Sequence, residues 1–403
     1  MGNTFRRSAA SGAETNGRLA DILRDLVDDD PSLAARLEAV GLDPSEVHDI
    51  RALDAVPVQA KDELVEARQS SRRNWAAPRI FQSPGPIYEA QPPGEDPWRW
   101  AEALHSAGLE PGDVVMNCFG YHLSPAGAMF DTAIIAAGAT VLPAGIGNQQ
   151  LQVQASMDLG VRGYVGLPSY LKALIDVARQ AGTTPVDFPI RYALVTAEPL
   201  PDDLRRTLEE WVPVVRMAYG SAEAGLIAYE NGAEAGMLEG EAVDVQVCDI
   251  ATGKPIRHGE GEVVVTLVRK EAPLIRFGTG DLSAWLTDEQ GQQVVDDRGR
   301  RRLVGILGRT GQAIKVRGMF LHPRQATSAL QDIDGLVAFR FVITRREHRD
   351  EIRCEYVSET AQDLDQVLSE RIRNALRFNA EVQQLAELPA DSPVLVDERI
   401  WDE

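Results

Sequence analysis

Short apolar runs alternate with longer amphipathic stretches between about residues 76 and 225. The runs at 114–118 and 192–196 are apolar at consecutive positions, as expected for strands buried on both faces of a sheet. The stretches between the runs carry helix-start signals such as Ser124-Pro125 and end at glycines such as Gly138. This alternation predicts a mostly parallel sheet covered by helices on both faces. The predicted strands are 114–118, 139–142, 163–166, 192–196 and 214–218, and the predicted helices are 96–108, 124–138, 149–159, a helix from 168 onward and 201–211.

The segments on either side follow other patterns. Residues 17–75 look helical, with Asp30-Pro31 as an N-cap followed by a proline and Gly41 at a helix stop. From about 240 to 305, β-branched and alternating runs predict antiparallel strands. From about 309 a smaller α+β segment is predicted. The antiparallel strands are expected at 242–247, 262–268 and 274–277. In the α+β segment, strands are expected at 339–344 and 352–357 and a helix at 361–380.

Composition narrows the class of partners. The chain has 403 residues, 44% of them apolar, and a net charge of −20. Such an acidic protein repels nucleic acid and anionic membranes, so neither is expected as a partner. It also repels ATP and coenzyme A at long range, so any such ligand needs a local positive site.

Location and termini give weaker signals. There is no run of about 18 apolar residues, so no transmembrane helix is predicted. Residues 1–16 are polar and rich in small residues, and are predicted to be a disordered lead-in rather than a signal peptide. The three cysteines are far apart, which makes a structural disulfide an unsatisfactory interpretation. We therefore expect a reducing, cytoplasmic location.

A first candidate ligand segment is Thr196-Ala197-Glu198-Pro199, between a predicted strand and a helix. In parallel sheets, ligands bind beyond the carboxyl ends of the strands. Taken alone, this peptide is more often an ordinary strand-to-helix loop.

A second segment, Tyr219-Gly220-Ser221-Ala222-Glu223, follows the next predicted strand. The ring of Tyr219 could stack on a purine, and Gly220 lets the backbone approach a ligand closely. The carboxylate of Glu223 could hold Mg²⁺ against phosphate oxygens. For an isolated peptide, a turn with a solvated glutamate is the better interpretation.

A third segment, Thr279-Gly280-Asp281, ends a predicted strand, and Arg309 follows later in Gly308-Arg309. The carboxylate of Asp281 can accept hydrogen bonds from both hydroxyls of a ribose. The alternative is an aspartate that caps a turn. Three such segments in this order are stronger evidence than any one of them.

In their order and spacing these segments resemble the nucleotide-site motifs of the adenylate-forming superfamily, and within it those of the phenylacetate–CoA ligases. That family activates a carboxylic acid with ATP through an acyl-adenylate and passes the acyl group to coenzyme A. The resemblance implies ATP or AMP, Mg²⁺ and coenzyme A as ligands, with a small-molecule carboxylate as substrate. It assigns adenine packing to Ala197, Glu198 and Pro199, adenine stacking to Tyr219 in a segment with Gly220 and Ser221, magnesium binding to Glu223, and ribose binding to Asp281 and Arg309. Glu223 and Arg309 are then the candidate catalytic residues.

The resemblance covers about residues 20–400 and includes the region of the family's acid pocket. It implies that Phe119, Tyr121 and His122 line an apolar pocket for an aromatic or other apolar carboxylate. A position in the hydrophobic core is an equally good interpretation for each aromatic side chain.

Two departures from the family bear on the chemistry. The family's phosphate loop carries a lysine, whereas the matching segment 81–89 has two prolines and no lysine. Only Ser83 and Gly85 then stay as candidate phosphate contacts, because proline has no N–H to donate. The family's catalytic lysine lies near the C-terminus. Here Ser392 stands at about that position, and no lysine follows Lys315.

We therefore predict an α/β fold: a large N-terminal lobe at 17–307, with a parallel-rich sheet and an antiparallel β subdomain, and a small mobile α+β lobe at 308–403. The expected function is that of an ATP-dependent acid–thiol ligase. The alternative is an adenylation-impaired relative that senses AMP, acyl-adenylate or acyl-CoA, or performs only the second half-reaction. Because two cations are missing, slow or undetectable adenylation is expected. The sequence leaves a homodimer open.

Overall fold

The structure is a computed structural model. It describes residues 12–64, 77–83, 87–250, 252–269, 272–310, 314–317, 319–321, 323–359, 363–389 and 392–400. The chain divides into two compact units. The first unit consists of Met1–Pro199 and Thr207–Thr310, and the second consists of Leu200–Arg206 and Gly311–Glu403. The lobe boundary predicted between residues 307 and 308 stays a prediction.

The helices of the described residues follow the predicted order closely. They are α1 (Gly12–Asp29), α2 (Pro31–Glu38), α3 (Ala101–Ala107), α4 (Ala126–Ala136), α5 (Gln149–Leu159), α6 (Pro168–Gln180), α7 (Asp202–Glu209), α8 (Pro323–Leu330) and α9 (Asp365–Leu376). Two short 3-10 helices lie at Pro44–Glu46 and Ile50–Ala55. None of these helices is long and apolar enough to cross a membrane.

The first unit is built on an eight-stranded sheet. Its strands are β3 (Val114–Asn117), β4 (Thr140–Pro143), β5 (Gly163–Gly166), β6 (Tyr192–Val195), β7 (Val214–Ser221), β8 (Gly225–Tyr229), β9 (Met237–Glu239) and β13 (Arg302–Leu303). Their order is β13-β9-β8-β7-β6-β5-β3-β4. The five strands from β4 to β7 are parallel. The predicted parallel-rich α/β sheet is therefore confirmed, because runs such as β5 and β6 are buried along their whole length.

A hairpin and a second sheet complete the first unit. The hairpin pairs β1 (Ile80–Ser83) with β2 (Ile87–Ala90). The second sheet contains β10 (Asp244–Cys248), β11 (Gly261–Leu267), β12 (Leu274–Ser283) and β14 (Gly308–Arg309) in the order β10-β11-β12-β14. All its pairings are antiparallel, which confirms the predicted β subdomain.

The described residues of the second unit form two antiparallel and two parallel strand pairings and helices α8 and α9, and they include the start of α7. Strands β15 (Ile314–Val316) and β16 (Met319–Leu321) form a hairpin. The other sheet has the order β19-β18-β17-β20, from β17 (Leu336–Arg346), β18 (Arg349–Ser358), β19 (Glu381–Gln384) and β20 (Leu395–Asp397). Helix α9 packs its buried Leu368 and Ile372 on the core of this unit.

The first residues of three helices can be compared with those predicted from the sequence. Asp30 caps α2, since its carboxylate accepts hydrogen bonds from the N–H groups of Ser32 and Leu33. The helix predicted at residue 96 begins instead at Ala101. Asp96 nevertheless caps it, because its carboxylate accepts from the N–H groups of Trp100 and Ala101. Helix α1 begins at Gly12, inside the predicted lead-in, while residues 1–11 lie outside the described residues.

Candidate functional site

Two of the predicted ligand segments leave the sheet at the same edge. Strands β6 and β7 are parallel neighbours, with Val195 opposite Met217. The segment 196–199 follows β6, and Glu223 lies in the turn between β7 and β8. Since parallel strands end at one edge of the sheet, the structure brings both motifs to the edge where ligands of such sheets bind.

Asp281 joins the second and third motifs. It lies directly opposite Arg309 in the pairing of β12 with β14. Its Oδ1 accepts from the guanidinium of Arg309 at 2.9 Å, and its Oδ2 accepts from the hydroxyl of Tyr219 at 2.8 Å. Three predicted site residues are thus joined by side-chain hydrogen bonds within one unit.

Tyr219 is largely buried, whereas a ring that stacks on a purine was expected to be exposed. Its side chain lies in a core cluster, and only 7% of the residue is exposed. Burial and the neighbouring Asp281 carboxylate raise the pKa of Tyr219 well above its ordinary value. The phenol therefore stays protonated and acts as a donor to Asp281.

Lys61 is the site residue to which the sequence interpretation gave no role. Its Nζ lies 2.8 Å from Oε1 of Glu223, whose side chain is 8% exposed. Lys61 stands at the start of a helical segment at 61–64, far from Glu223 along the chain. The only sequence signal was that Lys61 lies within residues 20–400, the range that the resemblance covers. An ammonium group thus occupies the position beside the carboxylate that was expected to hold a metal.

The turn that carries Glu223 is held by packing and by a buried arginine. A Cβ at Gly220 would come within 2.9 Å of the Trp100 ring, and one at Gly225 would meet the Trp98 carbonyl. Close packing by itself therefore explains why residue 220 is a glycine. Nη2 of Arg99 donates to the carbonyls of Ala224 and Leu226, and burial lowers the pKa of this arginine to about 9. The N–H of Ala224 also donates to the hydroxyl of Ser221.

The segment after β6 is strained and anchored. Ala197 has a φ of 74°, a left-handed conformation that costs a residue with a side chain about 1 kcal/mol. Glu198 is buried, and its Oε2 accepts from the hydroxyl of Ser169 at 2.6 Å. Pro199 follows as the last residue of this segment in the first unit.

The three predicted acid-pocket residues have different surroundings. Phe119 lies in the hydrophobic core and stacks on Phe130 with ring centroids 4.8 Å apart. The hydroxyl of Tyr121 donates to Asp131 at 2.7 Å, and 37% of the tyrosine is exposed. His122 is exposed.

The predicted phosphate loop is only partly described. Ser83 is the last residue of β1, and Gly85 lies outside the described residues. The loop itself connects the two strands of the β1–β2 hairpin. The two predicted phosphate contacts stay predictions.

Glu262 underlies the turn at Gly280 and gives a pH prediction. Its Oε1 accepts from the N–H of Gly280 at 3.0 Å, and burial, with the Asp281 carboxylate nearby, raises its pKa. A carboxyl whose pKa is higher in the folded state binds more protons there, so stability falls as pH rises above the ordinary glutamate value. Glu262→Gln keeps an acceptor without the charge. Its melting temperature relative to wild type should therefore increase between about pH 4 and pH 7. A difference that does not change with pH would contradict this prediction.

Several known proteins are similar to this chain in sequence. No family model matches the chain. Over 254 residues it is 31% identical to a phenylacetate–coenzyme A ligase of Thermus thermophilus, a match that covers 61% of the chain and 56% of that protein. A Pseudomonas putida protein of the same name is 29% identical over 56% of the chain and 51% of its own length. The chain thus spans about half the length of these two relatives. It is also 25% identical to an Escherichia coli phenylacetate–coenzyme A ligase over 83% of the chain and 79% of that protein.

Solved structures show the same fold. A 2-hydroxyisobutyryl-CoA ligase, in complex with 2-HIB-AMP and CoA, matches with a TM-score of 0.85 at 22% identity, over 98% of this chain and 91% of that chain. An amide bond synthetase of Marinactinospora thermotolerans matches with a TM-score of 0.58 at 16% identity, over 77% of this chain and 65% of that chain. The chain is therefore similar in sequence to phenylacetate–coenzyme A ligases and has the fold of the adenylate-forming acid–CoA ligases.

Proposed function

We propose that the protein is an acid–CoA ligase that activates an apolar carboxylate as its acyl-adenylate. In the first step a carboxylate oxygen attacks the α-phosphorus of ATP, and the bond to the bridging oxygen breaks as pyrophosphate leaves. In the second step the sulfur of coenzyme A attacks the acyl carbon, the thiol loses its proton and AMP leaves. The observation that carries this proposal is the linked group of Tyr219, Asp281 and Arg309 at the ligand edge of the fold.

The hydrogen-bonding capacity of Asp281 supports a role in binding ribose. An ionised carboxylate has about four acceptor positions on its two oxygens. Tyr219 and Arg309 use one position on each oxygen. Each oxygen can still accept a second hydrogen bond, which matches the two neighbouring hydroxyls of a ribose.

Lys61 supports the adenylation step. Bringing a carboxylate and a triphosphate together places anions side by side, which requires fixed positive charge. The ammonium of Lys61 lies in the first unit beside Glu223 and is 39% exposed. It could exchange part of its contact with Glu223 for a phosphate oxygen. The expectation of slow or undetectable adenylation rested on the absence of such a group, and we now propose a working enzyme.

The magnesium prediction has less support from the side chains. No cluster of three or more His, Cys, Asp or Glu side chains suited to a metal occurs among the described residues. Glu223 is a single carboxylate already paired with an ammonium. We therefore treat Mg²⁺ as part of the substrate MgATP, held chiefly by phosphate oxygens, as is common for this ion.

The alternative is a nucleotide-binding protein that does not adenylate. Two prolines in the predicted phosphate loop and a serine at the expected lysine position favour it. Two measurements on the purified protein separate the alternatives: the shift of the melting temperature by AMP, and acid-dependent exchange of pyrophosphate into ATP. The ligase proposal expects both signals. An AMP shift without exchange supports the alternative. The absence of both signals contradicts nucleotide binding altogether.

The acid is expected to be apolar. The segment 119–123 combines the half-exposed Tyr121 with exposed Leu123 close to the ligand edge of β3. Burying an aryl group rather than a methyl group adds about 1–3 kcal/mol of favourable transfer energy. Exchange with phenylacetate should therefore have a kcat/KM at least about tenfold higher than with acetate. Equal values for the two acids would contradict an apolar pocket.

A further inference from the structure

A long uncharged segment surrounds strand β4 at one edge of the eight-stranded sheet. From Thr132 to Met157 the chain has no charged residue and no histidine, although 25% of all its residues are charged. This segment contains the C-terminal half of α4, the whole of β4 and most of α5. Uncharged segments of this length are expected in a protein core, yet part of this one is exposed to solvent.

Both helices expose large apolar side chains. Ile135 of α4 is 61% exposed, and Leu151 and Leu159 of α5 are 64% and 55% exposed. Leu151, Ala155 and Leu159 recur at every fourth position and therefore share one side of α5. Asp158, the first charged residue after the segment, adjoins Leu159 and limits the uncharged surface there. The packing of the core does not explain why these positions are apolar.

The strand order places both helices beside the same sheet edge. Strand β4 pairs with β3 in parallel, and it has no other strand partner among the described residues. Helix α4 leads into β4, and α5 leads out of it toward β5, on the far side of β3. Because parallel crossovers are right-handed, α4 and α5 cover opposite faces of the sheet. We define the β4 edge surface as β4 together with Ile135 on one flank and Leu151 and Leu159 on the other.

This edge lacks the charges that commonly protect an edge strand. Natural proteins discourage association at such strands with charged side chains, short length or proline. Here the strand is only Thr140–Pro143, and Pro143 has no N–H to donate, so pairing with another strand is disfavoured. The exposed apolar side chains on the flanking helices are not protected in this way. Contact with a partner is therefore expected through side-chain packing rather than through an extended sheet.

The net charge of the chain favours a second copy as that partner. Two chains that each carry a net charge of −20 repel each other, and an uncharged face is where they can meet at least cost. A twofold interface brings the same surface of both copies together, so this surface must be complementary to itself. An apolar surface meets that condition and an acidic one does not. A cationic partner would instead be attracted to the acidic surface elsewhere.

We propose that the β4 edge surface is the contact between two copies of this chain in a symmetric dimer. The apolar side chains of α4 and α5 pack against those of the second copy and lose their contact with water. This inference goes beyond the proposed function and does not depend on it, because it concerns a different surface and a different measurement.

Sedimentation velocity on the purified full chain tests the proposal. Wild type should sediment with twice the 44.0 kDa mass of one chain. Leu151→Glu and Ile135→Glu each place one carboxylate from either copy in the contact, and each should raise the dimer Kd at least about 100-fold. Val186→Glu is the matched control, since Val186 is 82% exposed in the connection between α6 and β6. It should leave the Kd within about threefold of wild type. Circular dichroism establishes that each variant is folded.

Salt dependence gives a second readout that needs no substitution. Raising NaCl from about 50 to about 500 mM screens the repulsion between the two acidic chains, so the dimer Kd should fall. A monomeric wild type overturns the proposal. It is also overturned if a dimeric wild type stays dimeric in both folded glutamate variants of α4 and α5, or if Val186→Glu dissociates it equally. Dissociation by salt would indicate an interface of ion pairs and would exclude this surface.

Discussion

Replacing Lys61 with methionine is expected to slow acid-dependent pyrophosphate exchange by about 10²–10³. Methionine keeps much of the side-chain length and removes the charge. The ammonium lies 2.8 Å from Glu223 and is the cation that we propose to stabilise the phosphates. Lys61→Arg, which keeps a positive charge, should lose much less.

Stability must be separated from chemistry in this experiment. Glu223 is almost fully buried, so losing the Lys61 contact lowers stability by leaving a charge less well compensated. The double variant Lys61→Met/Glu223→Gln removes both charges and should regain melting temperature without regaining exchange. Lys172→Met is a matched control, since Lys172 forms a comparable pair with Asp176 on α6. If the double variant recovers exchange as well, Lys61 serves only to neutralise Glu223.

Asp281→Ala is expected to weaken AMP binding by about tenfold to 150-fold. This range corresponds to the loss of about 1.5–3 kcal/mol from hydrogen bonds to a charged group. Isothermal titration with AMP measures the effect. The substitution also removes the partner of Tyr219 and Arg309, so part of the loss reflects their rearrangement.

Two controls identify the origin of that loss. Asp244→Ala breaks the ion pair between Arg51, in the 3-10 helix at 50–55, and Asp244 on β10, which lies two strands from β12 in the four-stranded sheet. It should leave AMP affinity unchanged. Tyr219→Phe keeps the ring but removes the donor to Asp281, and is expected to cost about 1 kcal/mol in AMP affinity. Unchanged affinity in Asp281→Ala would show that the ribose assignment is wrong.

Much of the architecture could be predicted from local pattern. The strands at 114–117, 163–166 and 192–195 fall where continuous apolar runs predicted them, because a strand buried on both faces must be apolar throughout. Helix α5 has the predicted bounds of 149–159. The helix start at 96 was less accurate, since Asp96 caps α3 from several residues before its first turn.

The candidate site was predictable in its residues but not in its contacts. Tyr219, Asp281 and Arg309 were identified through the order of motifs along the chain. The order of motifs could not show that the hydroxyl of Tyr219 donates a hydrogen bond to Asp281, which lies 62 residues away. The enclosure of Phe119 and Tyr219 likewise depends on which elements pack over them.

The amino-acid sequence by itself determined the alternation of strands and helices, the antiparallel subdomain and the ligand motifs, because periodicity and turn residues act over a few positions. It also showed that lysines were missing from the expected places. Only the tertiary structure decided which distant side chains meet, such as Lys61 with Glu223 and Arg340 with Ser392. The tertiary fold determines where each charged side chain lies, because packing and strand register, rather than the local pattern around either residue, decide which distant segments come together.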